Sequence, residues 1–443
     1  MASSKKSPLA ELETRLAHFL QALIQPGQRL LLGYSGGLDS TVLLHLLHRL
    51  RPTIDAEIIA LHINHGLSPH ADRWQQHCAQ TCQSLNIPFV AERVQVVRDS
   101  GLGVEAAARA ARYEVFCRQA ADFLLLAHHQ DDQAETLLLQ LLRGAGVKGL
   151  AAMPVQRDAS PILLRPFLHT PRAMLEACAR ELSLDWVEDE SNQDCDFDRN
   201  YLRHVIFPAL VQRFPAARNS LARSAAHLAE ADALLEEIAC DDAVRWVSEG
   251  RLAVQALREL SGPRAKNLLR FWLSQYIDPL PSARRLEEIM KQVLQARAEA
   301  SIEILVAGGR VRRYRDQVCF ESATSTLDDR PRQWQGEPEL ALPSGRLVFQ
   351  QVTGRGVSQE KLAGQALAIR IRAGGESLRL SPNRPARSLK NLFQEAGVPA
   401  WQRPAWPLLW CQEQLVVVPG VGVAHDWQAG ADEAGIDVIW QPV

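Results

Sequence analysis

A short loop near the N-terminus combines hydroxyl, glycine and carboxylate residues in a pattern that suits phosphate binding. Residues 35–41 read Ser-Gly-Gly-Leu-Asp-Ser-Thr and lie between an apolar run and a leucine-rich helical pattern. Glycines let the backbone approach a phosphate closely, hydroxyls donate hydrogen bonds, and the first amides of a following helix point at the anion. The sequence therefore predicts a nucleotide site formed by Ser35, Gly36, Gly37, Leu38, Asp39 and Ser40.

This loop differs from the two commonest nucleotide motifs. No Gly-Lys-Ser/Thr follows the glycine pair, and the G-x-G-x-x-G spacing is absent. A Gly-Gly turn with a Ser or Asp cap is also a common structural device, but its place between a strand and a helix favours a binding site. A carboxylate aimed at phosphate needs a divalent cation between the two, so we expect ATP as the nucleotide and Asp39 as a ligand of Mg²⁺.

Two acidic residues further along the chain suit an amine substrate. Asp132 and Glu135 are three residues apart and share one face at the start of a predicted helix. Such a pair can hold an ammonium group or remove its proton, although acidic residues in a first turn also simply favour the helix dipole. His128 and His129 close the preceding strand, where adjacent residues point to opposite faces, so they do not predict a metal pair.

The elements that must position these residues alternate along the first half of the chain. Short leucine-rich or β-branched runs indicate strands, and the segments between them carry helical periodicity. The alternation predicts a parallel sheet with helices on both faces and a ligand at the carboxyl ends of the strands. The predicted strands are RLLLGY, EIIALHINH, PFVAERVQV and DFLLLAHH.

The composition changes twice along the chain, which predicts three domains in an α/β protein. We assign residues 1–215 to a Rossmann-like catalytic domain with the phosphate loop. Ala, Leu, Arg and Glu recur at helical spacing from about residue 216 to about residue 300, which predicts a mainly helical middle domain over 216–325 that ends in a hairpin turning at Gly308-Gly309. Residues 322–345 are polar with several prolines and glycines, so we interpret them as a linker to a small α+β C-terminal domain over 326–443.

Length and composition exclude several classes of protein. With 443 residues, 47% hydrophobic and 23% charged, the chain has the usual composition of a globular protein with more than one domain. No apolar run reaches the roughly 18 residues of a spanning helix, so we expect a cytoplasmic protein without a membrane partner. The eight cysteines lack the paired spacings of metal sites and indicate free thiols. No feature of the sequence indicates an oligomeric state.

The glycine loop resembles the PP-loop of the ATP pyrophosphatase superfamily, and further motifs resemble the tRNA(Ile)-lysidine synthetase family. They occur in the family's order and cover most of the chain. The motifs are HINHGLS at 62–68, GLGVEAAARAARYEVF at 101–116, AHHQDDQAETLLLQLLRGAG at 127–146, LLRPF at 163–167, DESNQDCDFDRNYLR at 189–203 and RSLKNLFQEAGVPAWQRPAWPLLW at 387–410.

The resemblance implies a two-step ligation on RNA. ATP activates the ring carbonyl oxygen of the wobble cytidine in an isoleucine tRNA with a CAU anticodon, and the side-chain amine of free L-lysine then displaces AMP. The product, lysidine, pairs with A instead of G. The tRNA thereby changes from methionine to isoleucine identity.

The resemblance also implies roles for individual residues. Asp132 and Glu135 belong to the family's lysine site. Arg109 and Arg112 lie on the third predicted helix and are candidates for stabilising phosphate charge during adenylation. Arg203, with Asn200, matches the family's R-N-x-x-R element and is expected to bind a carboxylate or a phosphate.

Contact with tRNA must come from local basic patches, because the net charge of the chain is -2. One predicted patch holds seven Lys or Arg against two Glu between residues 370 and 410, and tryptophans interleave with it. Its basic residues are Arg370, Arg372, Arg379, Arg384, Arg387, Lys390 and Arg403, and its tryptophans are Trp401, Trp406 and Trp410. In so small a domain the tryptophans are also good candidates for the core. A second predicted patch consists of Arg310, Arg312, Arg313 and Arg315 around Tyr314.

Two other functions compete with this interpretation. Another PP-loop enzyme, such as a tRNA thiolase or a small-molecule ligase, would use the same loop, but the chain has no C-x-x-C pair for sulfur transfer and no amidotransferase half. An RNA-binding protein with a vestigial nucleotide site is the other alternative. Occupation of every loop position needed for catalysis, including Asp39, weighs against it.

Overall fold

A leucine-rich strand with both faces buried organises the N-terminal half of the protein. The computed structural model describes residues 7–66, 68–95, 104–296, 302–323 and 330–442. Strand β1 spans Arg29–Gly33, and its side chains alternate between two apolar clusters. Leu30 and Leu32 pack with helices on one face of the sheet, whereas Leu31 packs on the other. Burial on both faces is typical of a parallel sheet covered by helices.

The chain divides into two compact units, Met1–Glu236 and Glu237–Val443. In the described part of the first unit, strands pair in the order β3-β2-β1-β4-β6-β5. Neighbours from β3 to β6 run parallel, and β5 is an antiparallel edge strand. The further strands are β2 Glu57–Asn64, β3 Phe89–Arg93, β4 Phe123–Leu125, β5 Gln156–Arg157 and β6 Ile162–Leu164. The predicted parallel sheet is therefore confirmed.

Helices cover both faces of this sheet. Helices α1, α2 and α7 contribute to the apolar cluster on one face, and α4 contributes to the cluster on the other. The helices are α1 Pro8–Gln21, α2 Leu38–Leu50, α3 Ala71–Ser84, α4 Val104–Arg118, α5 Gln130–Leu142, α6 Val147–Leu150, α7 Arg172–Glu181, α8 Asp198–Tyr201, α9 Phe207–Arg213 and α10 Ala217–Trp246. A π-helical segment, Leu202–Ile206, joins α8 to α9.

The second unit contains two sheet regions. The first has strand order β7-β8-β11-β10-β9 and packs against α11 Val254–Glu259, α12 Gly262–Ser274 and α13 Ala283–Gln295. Its strands are β7 Val247–Ser248, β8 Arg251–Ala253, β9 Ile302–Val306, β10 Gly309–Tyr314 and β11 Gln317–Ser322. The predicted hairpin at Gly308-Gly309 thus belongs to a larger sheet, because two short strands from residues 247–253 extend it.

The C-terminal region of this unit is built from antiparallel strands around a separate apolar cluster. Its described strands pair in the orders β12-β16-β19-β20-β21, β13-β14-β22-β15 and β17-β18. They are β12 Arg332–Trp334, β13 Glu339–Leu342, β14 Gly345–Thr353, β15 Val357–Ser358, β16 Leu367–Ile371, β17 Ser377–Leu378, β18 Arg387–Ser388, β19 Pro407–Cys411, β20 Gln414–Val418, β21 Gly422–Val423 and β22 Ala434–Pro442, with helices α14 Gln359–Leu362 and α15 Leu389–Glu395.

The linker predicted over residues 322–345 is partly wrong. Strands β12 and β13 lie within it and pair with β16 and β14, so this stretch forms part of the C-terminal sheets. Its few apolar residues, Trp334, Leu340 and Leu342, pack against the C-terminal cluster. The polar residues between them made the stretch resemble a linker. Residues 324–329 of the predicted linker lie outside the described residues, as do Leu67 and residues 101–103 of the family motifs.

The predicted division into three domains at residues 215 and 325 stays a prediction. The boundary between the two compact units falls within helix α10. Within the described ranges, no helix has both the length and the apolar character needed to cross a membrane.

Candidate active site

The glycine loop lies between the carboxyl end of β1 and the first turn of α2. Gly37 is the N-cap of α2, and Gly36 has a φ of 83°, a left-handed conformation that favours glycine. A Cβ at Gly36 would lie 2.7 Å from the Sγ of Cys78, so the loop also needs glycine for space. The Gly36 carbonyl accepts hydrogen bonds from the Val187 amide at 2.9 Å and the Thr41 hydroxyl at 3.2 Å.

Hydroxyl groups fix the shape of this loop. The Oγ atoms of Ser35 and Ser40 are 3.0 Å apart, and the Ser40 hydroxyl donates to the Gly37 carbonyl at 3.0 Å. The Gly37 amide donates to Ser35 Oγ at 3.3 Å. Because Leu38, Asp39 and Ser40 form the first turn of α2, their amides have no acceptor within the helix. The loop thus presents the donors that a phosphate requires.

Asp39 has one carboxylate oxygen that is ready for a cation. Its Oδ1 is buried and has no hydrogen-bond partner, whereas its Oδ2 lies 3.6 Å from His129 Nε2. A lone carboxylate beside a phosphate site fits Mg²⁺, which binds through few protein ligands and completes its shell with phosphate oxygens and water. Within the part of the chain that the structure describes, no group of three or more His, Cys, Asp or Glu side chains forms an all-protein metal site.

His129 connects the glycine loop to the acidic pair. It is the N-cap of α5, its Nδ1 accepts from the Asp132 amide at 3.4 Å, and its own amide donates to Asp132 Oδ2 at 2.9 Å. Burial opposes a charge on its ring, but the carboxylates of Asp132 and Asp39 outweigh burial and raise the pKa of His129. The sequence did not predict this linking role of His129.

The acidic pair is paired with two arginines. Arg203 forms a two-pronged ion pair with Glu135, in which its Nε and Nη2 each lie 2.8 Å from a carboxylate oxygen. Arg199 donates from Nε to Glu135 and from Nη2 to Asp132, both at 2.9 Å. Arg203 Nη2 also reaches Asp132 at 3.2 Å. We call Asp132, Glu135, Arg199 and Arg203 the charge-balanced cluster.

The two carboxylates of the cluster are buried and the two arginines are partly buried, so the charges depend on each other. Burial alone would raise the pKa of Asp132, but His129 and Arg199 hold that pKa below its usual value. Burial would lower the pKa values of Arg199 and Arg203, yet the two carboxylates raise both. Two negative and two positive charges therefore compensate one another out of bulk water.

Arg199 was not predicted as a site residue. It precedes Arg203 by four residues, and this spacing puts both guanidinium groups on one side of the α8 and π-helical segment. The R-N-x-x-R element contained the signal, since its first arginine is Arg199. A π-helical turn is often found at functional sites.

The remaining predicted site residues, Arg109, Arg112 and Asn200, lie outside the charge-balanced cluster as we define it. Arg109 lies exposed on α4, and its Nη2 is 3.5 Å from the hydroxyl of Tyr113. Burial lowers the pKa of His65 to about 4, and the charge of Arg112 lowers it further. Asn200 donates to the Asp194 carbonyl at 2.9 Å, a contact within the acidic loop.

The first predicted RNA patch is partly neutralised by ion pairs. Arg387 pairs with Glu395 at 2.8 Å, Arg372 with Glu376 at 3.2 Å and Arg370 with Glu413 at 3.5 Å. Arg379 and Arg403 donate to backbone carbonyls. Arg384 and Lys390 are exposed, and within the described residues their side chains form no hydrogen bond or close ion pair, although the charge of Arg384 helps to lower the pKa of Glu395. Trp406 is buried with its Nε1 donating to the Pro419 carbonyl, whereas Trp401 and Trp410 are partly exposed.

The second predicted patch is not a free phosphate-binding surface. Arg313 is 1% exposed and donates to the backbone carbonyls of Val293, Ala296 and Arg315 at 2.7 to 2.9 Å. Arg312 is also buried and pairs with Glu303 at 3.0 Å. The prediction was wrong for these two arginines because their side chains hold β10 to α13 and to neighbouring strands.

Three family models match the chain. A PP-loop domain matches residues 8–210, a TilS substrate binding domain matches residues 252–319, and a TilS substrate C-terminal domain matches residues 367–440. The order of these matches is that of the sheet domain, the middle region and the C-terminal strands.

Curated relatives match over almost the whole chain. The tRNA(Ile)-lysidine synthase of Nitrosomonas europaea is 42% identical, with 100% of this chain and 98% of that protein covered. The enzyme of the same name from Ralstonia nicotianae is 43% identical, with 92% and 91% covered. Among solved structures, the U34-tRNA thiolase NcsA from Methanococcus maripaludis has a TM-score of 0.45 at 18% identity and covers 50% of this chain and 79% of its own.

Proposed function

The chain belongs to the tRNA(Ile)-lysidine synthase family, and from this premise we propose how its residues make lysidine on an isoleucine tRNA with a CAU anticodon. The enzyme is an ATP-dependent ligase that acts on the wobble cytidine. We propose that free L-lysine is the second substrate, that Mg²⁺ is required, and that individual residues have the following roles. We place the enzyme in the cytoplasm, where ATP, lysine and tRNA are present together.

In the first step the ring carbonyl oxygen of cytidine attacks the α-phosphate of ATP, and pyrophosphate leaves. The Ser35–Ser40 loop holds the phosphates with the α2 amides and the Ser35 and Ser40 hydroxyls. Asp39, whose Oδ1 has no hydrogen-bond partner, would hold Mg²⁺, which would supply positive charge to the leaving pyrophosphate when bound. His129 holds Asp39 in place from the side of the acidic pair.

In the second step the side-chain amine of lysine attacks the activated ring carbon, the carbon–oxygen bond breaks and AMP leaves. Free lysine brings one carboxylate and two ammonium groups, and the charge-balanced cluster offers groups of the opposite sign to both kinds: two carboxylates and two guanidinium groups. The ammonium of the side chain takes the place of a guanidinium on Asp132 and Glu135, and the freed arginine binds the lysine carboxylate. Asp132 or Glu135 then accepts the amine proton.

The cluster is the observation that carries this proposal. It joins the ATP loop through His129, with Asp39 and Asp132 at 3.6 and 3.5 Å from the same imidazole nitrogen. An RNA-binding protein with a vestigial nucleotide site has no use for two buried carboxylates there. A thiolase needs reactive thiols close to the nucleotide, but burial raises the pKa of Cys78, which lies beside Gly36, and of Cys82 to about 12, which makes these two thiols poor nucleophiles.

The activity is tested by incubating the protein with ATP, Mg²⁺, labelled lysine and an unmodified isoleucine tRNA transcript with a CAU anticodon. We expect label in the RNA together with AMP and pyrophosphate, and loss of all three with Asp39→Asn. Pyrophosphate without lysine transfer would show that the acceptor amine is wrong. Binding of ATP without turnover would favour the RNA-binding alternative.

The lysine site is tested by Glu135→Gln, with Asp131→Asn as the matched control. Both changes remove one acidic charge from the same helical turn, but Asp131 pairs with Arg218 at 3.0 Å and lies outside the cluster. We expect Glu135→Gln to raise the KM for lysine more than tenfold with little change in the KM for ATP, because a buried charged contact is lost. If the two variants raised the KM for lysine equally, the lysine would not bind at Glu135.

A further inference from the structure

A second group of positive charges surrounds Tyr113, beside the charge-balanced cluster. The guanidinium carbon of Arg109 lies 5.2 Å from the centre of the Tyr113 ring, and that of Arg157 lies 5.0 Å from it. Arg165 is 2% exposed, and its side chain hydrogen-bonds to that of Tyr113. None of the three arginines has a carboxylate partner among the described residues, in contrast to the fully paired Arg199 and Arg203.

The backbone fixes this group firmly. Arg165 follows β6, its amide donates to the Val155 carbonyl at 2.8 Å, and its Nη1 donates to the Pro154 carbonyl at 2.7 Å. Arg157 lies on the edge strand β5, in register with Leu163 of β6. The Nε of Arg165 is buried and has no hydrogen-bond partner. A buried, unsatisfied donor costs stability, so its presence needs an explanation such as a functional role for the group or its charge.

The group lies on the functional edge of the sheet. Leu164 of β6 is in register with Leu125 of β4, which is in register with Leu32 of β1. Arg165 therefore leaves the sheet at the same edge as the glycine loop, two strand spacings or roughly 10 Å away. His128 lies between the two sites. Burial lowers its pKa to about 3, and nearby positive charges that include Arg165, Arg199 and Arg109 contribute to the shift.

We propose that Arg109, Arg157 and Arg165 around Tyr113 bind a backbone phosphate of the RNA strand next to the cytidine that is modified. This inference rests on the proposed function and names a contact of the same site. Three guanidinium groups without a carboxylate partner in the part of the chain that the structure describes form an anion site, in which Arg109 and Arg157 are exposed to solvent and Arg165 adds a buried charge. ATP phosphates already have the glycine loop, and the lysine carboxylate has Arg199 and Arg203.

The test measures binding of the unmodified tRNA transcript to the full chain, without ATP or lysine, at several salt concentrations. Arg157→Ala and Arg157→Glu are compared with Arg118→Ala and Arg118→Glu. Arg118 is an exposed arginine on α4 that pairs with Glu114, so the controls make the same charge changes elsewhere on the unit. The KM for ATP is measured for each variant at saturating tRNA.

We expect Arg157→Ala to raise the Kd for tRNA about fivefold and to make the salt dependence shallower by about one unit of slope, as loss of one phosphate contact requires. Arg157→Glu should weaken binding further, and the KM for ATP should stay within about twofold of wild type. Equal effects at positions 157 and 118 would overturn the proposal. A raised KM for ATP with an unchanged Kd for tRNA would also overturn it, because the ligand would then be ATP.

Failure of the proposed function is read from a different result. A wild-type protein that binds the transcript but never incorporates lysine would contradict the proposed reaction, and the comparison of tRNA affinities between variants would still stand. Arg157 is on an exposed edge strand, so its replacement leaves the fold intact. Thermal unfolding of each variant checks this directly.

Discussion

Gly36 and Gly27 both have left-handed backbone conformations, but their surroundings differ. Their φ angles are 83° and 81°. A Cβ at Gly36 would meet Cys78 Sγ at 2.7 Å, whereas a Cβ at Gly27 would have no atom within 4 Å. We expect Gly36→Ala to lower ATP turnover at least tenfold, because it combines backbone strain of about 1 kcal/mol with a clash inside the phosphate loop.

Gly27→Ala is the matched control, since it carries the same strain without the clash. It should cost about 1 kcal/mol of stability and leave the pyrophosphate release rate unchanged. The measurement compares thermal midpoints and pyrophosphate release for both variants. If Gly36→Ala behaved like Gly27→Ala, the shape of the loop would not depend on the contact with Cys78.

His128 makes the stability of the sheet domain depend on pH. Its pKa in the folded protein is about 3, whereas an unfolded histidine titrates near 6.5. As the pH falls below about 6.5, the unfolded chain takes up a proton that the folded protein refuses, so the free energy of unfolding decreases. Between pH 7 and pH 5, the free energy of unfolding of His128→Gln should therefore decrease by on the order of 1 kcal/mol less than that of wild type. Urea midpoints at the two pH values measure this difference, and parallel losses would contradict it.

At the residue scale, the sequence indicated the residues of one continuous segment, and it did not indicate residues whose role depends on partners far away in the chain. The glycine loop and Asp39 are recognisable because a phosphate site is one continuous segment. Arg199 was missed because its role comes from Asp132 and Glu135, more than sixty residues earlier in the chain. Nothing in the spacing of the acidic pair indicates that two arginines already occupy it.

Strand β10 and helix α13 are joined by the buried side chain of Arg313. Its guanidinium donates to the Val293 and Ala296 carbonyls at the end of α13, where helix carbonyls lack partners and attract positive charge. We expect Arg313→Met to destabilise this unit by about 3 kcal/mol, because these carbonyls lose their donors inside the protein. Thermal unfolding of the variant measures the effect.

Arg310→Ala is the comparison for this element. Arg310 lies on the same strand but is 45% exposed and pairs with Glu303 at the surface. Its removal should change stability by less than about 0.5 kcal/mol. A loss of tRNA affinity by Arg313→Met at unchanged stability would mean that the arginine binds RNA after all.

At the element scale, the alternating strands and helices of the first unit were predictable and the short pieces were not. β1 to β4 carry apolar runs bounded by polar residues, which sequence periodicity detects. Strands β7 and β8 have two or three residues each and show no period. The π-helical turn at Leu202–Ile206 likewise leaves no signal in composition, although it carries Arg203.

At the scale of the whole molecule, the net charge of -2 leaves RNA affinity to a few unpaired cations. Arg384 and Lys390 are the exposed members of the first patch whose side chains form no hydrogen bond or close ion pair within the described ranges. The double change Arg384→Ala and Lys390→Ala should weaken tRNA binding and reduce the salt slope by about two. Pyrophosphate release at saturating tRNA should be unchanged, because the ATP loop belongs to the other unit.

Arg387→Ala provides the control for that measurement. Arg387 already pairs with Glu395, so its removal should change the salt slope less than removal of an unpaired cation. An identical slope for wild type and the double variant would place tRNA binding elsewhere. The order of the domains was predictable because each has its own motifs, whereas compact-unit boundaries depend on long-range contacts that the sequence does not display.

The closed state of the charge-balanced cluster has a consequence for the fate of the activated RNA. While Arg199 and Arg203 engage Asp132 and Glu135, neither carboxylate is a good base toward water. In the proposed mechanism, lysine that displaces a guanidinium delivers the nucleophile and releases the base in the same event. We therefore expect the paired cluster to limit hydrolysis of the adenylated RNA before lysine binds, so Arg199→Ala should release AMP without lysine faster than wild type does.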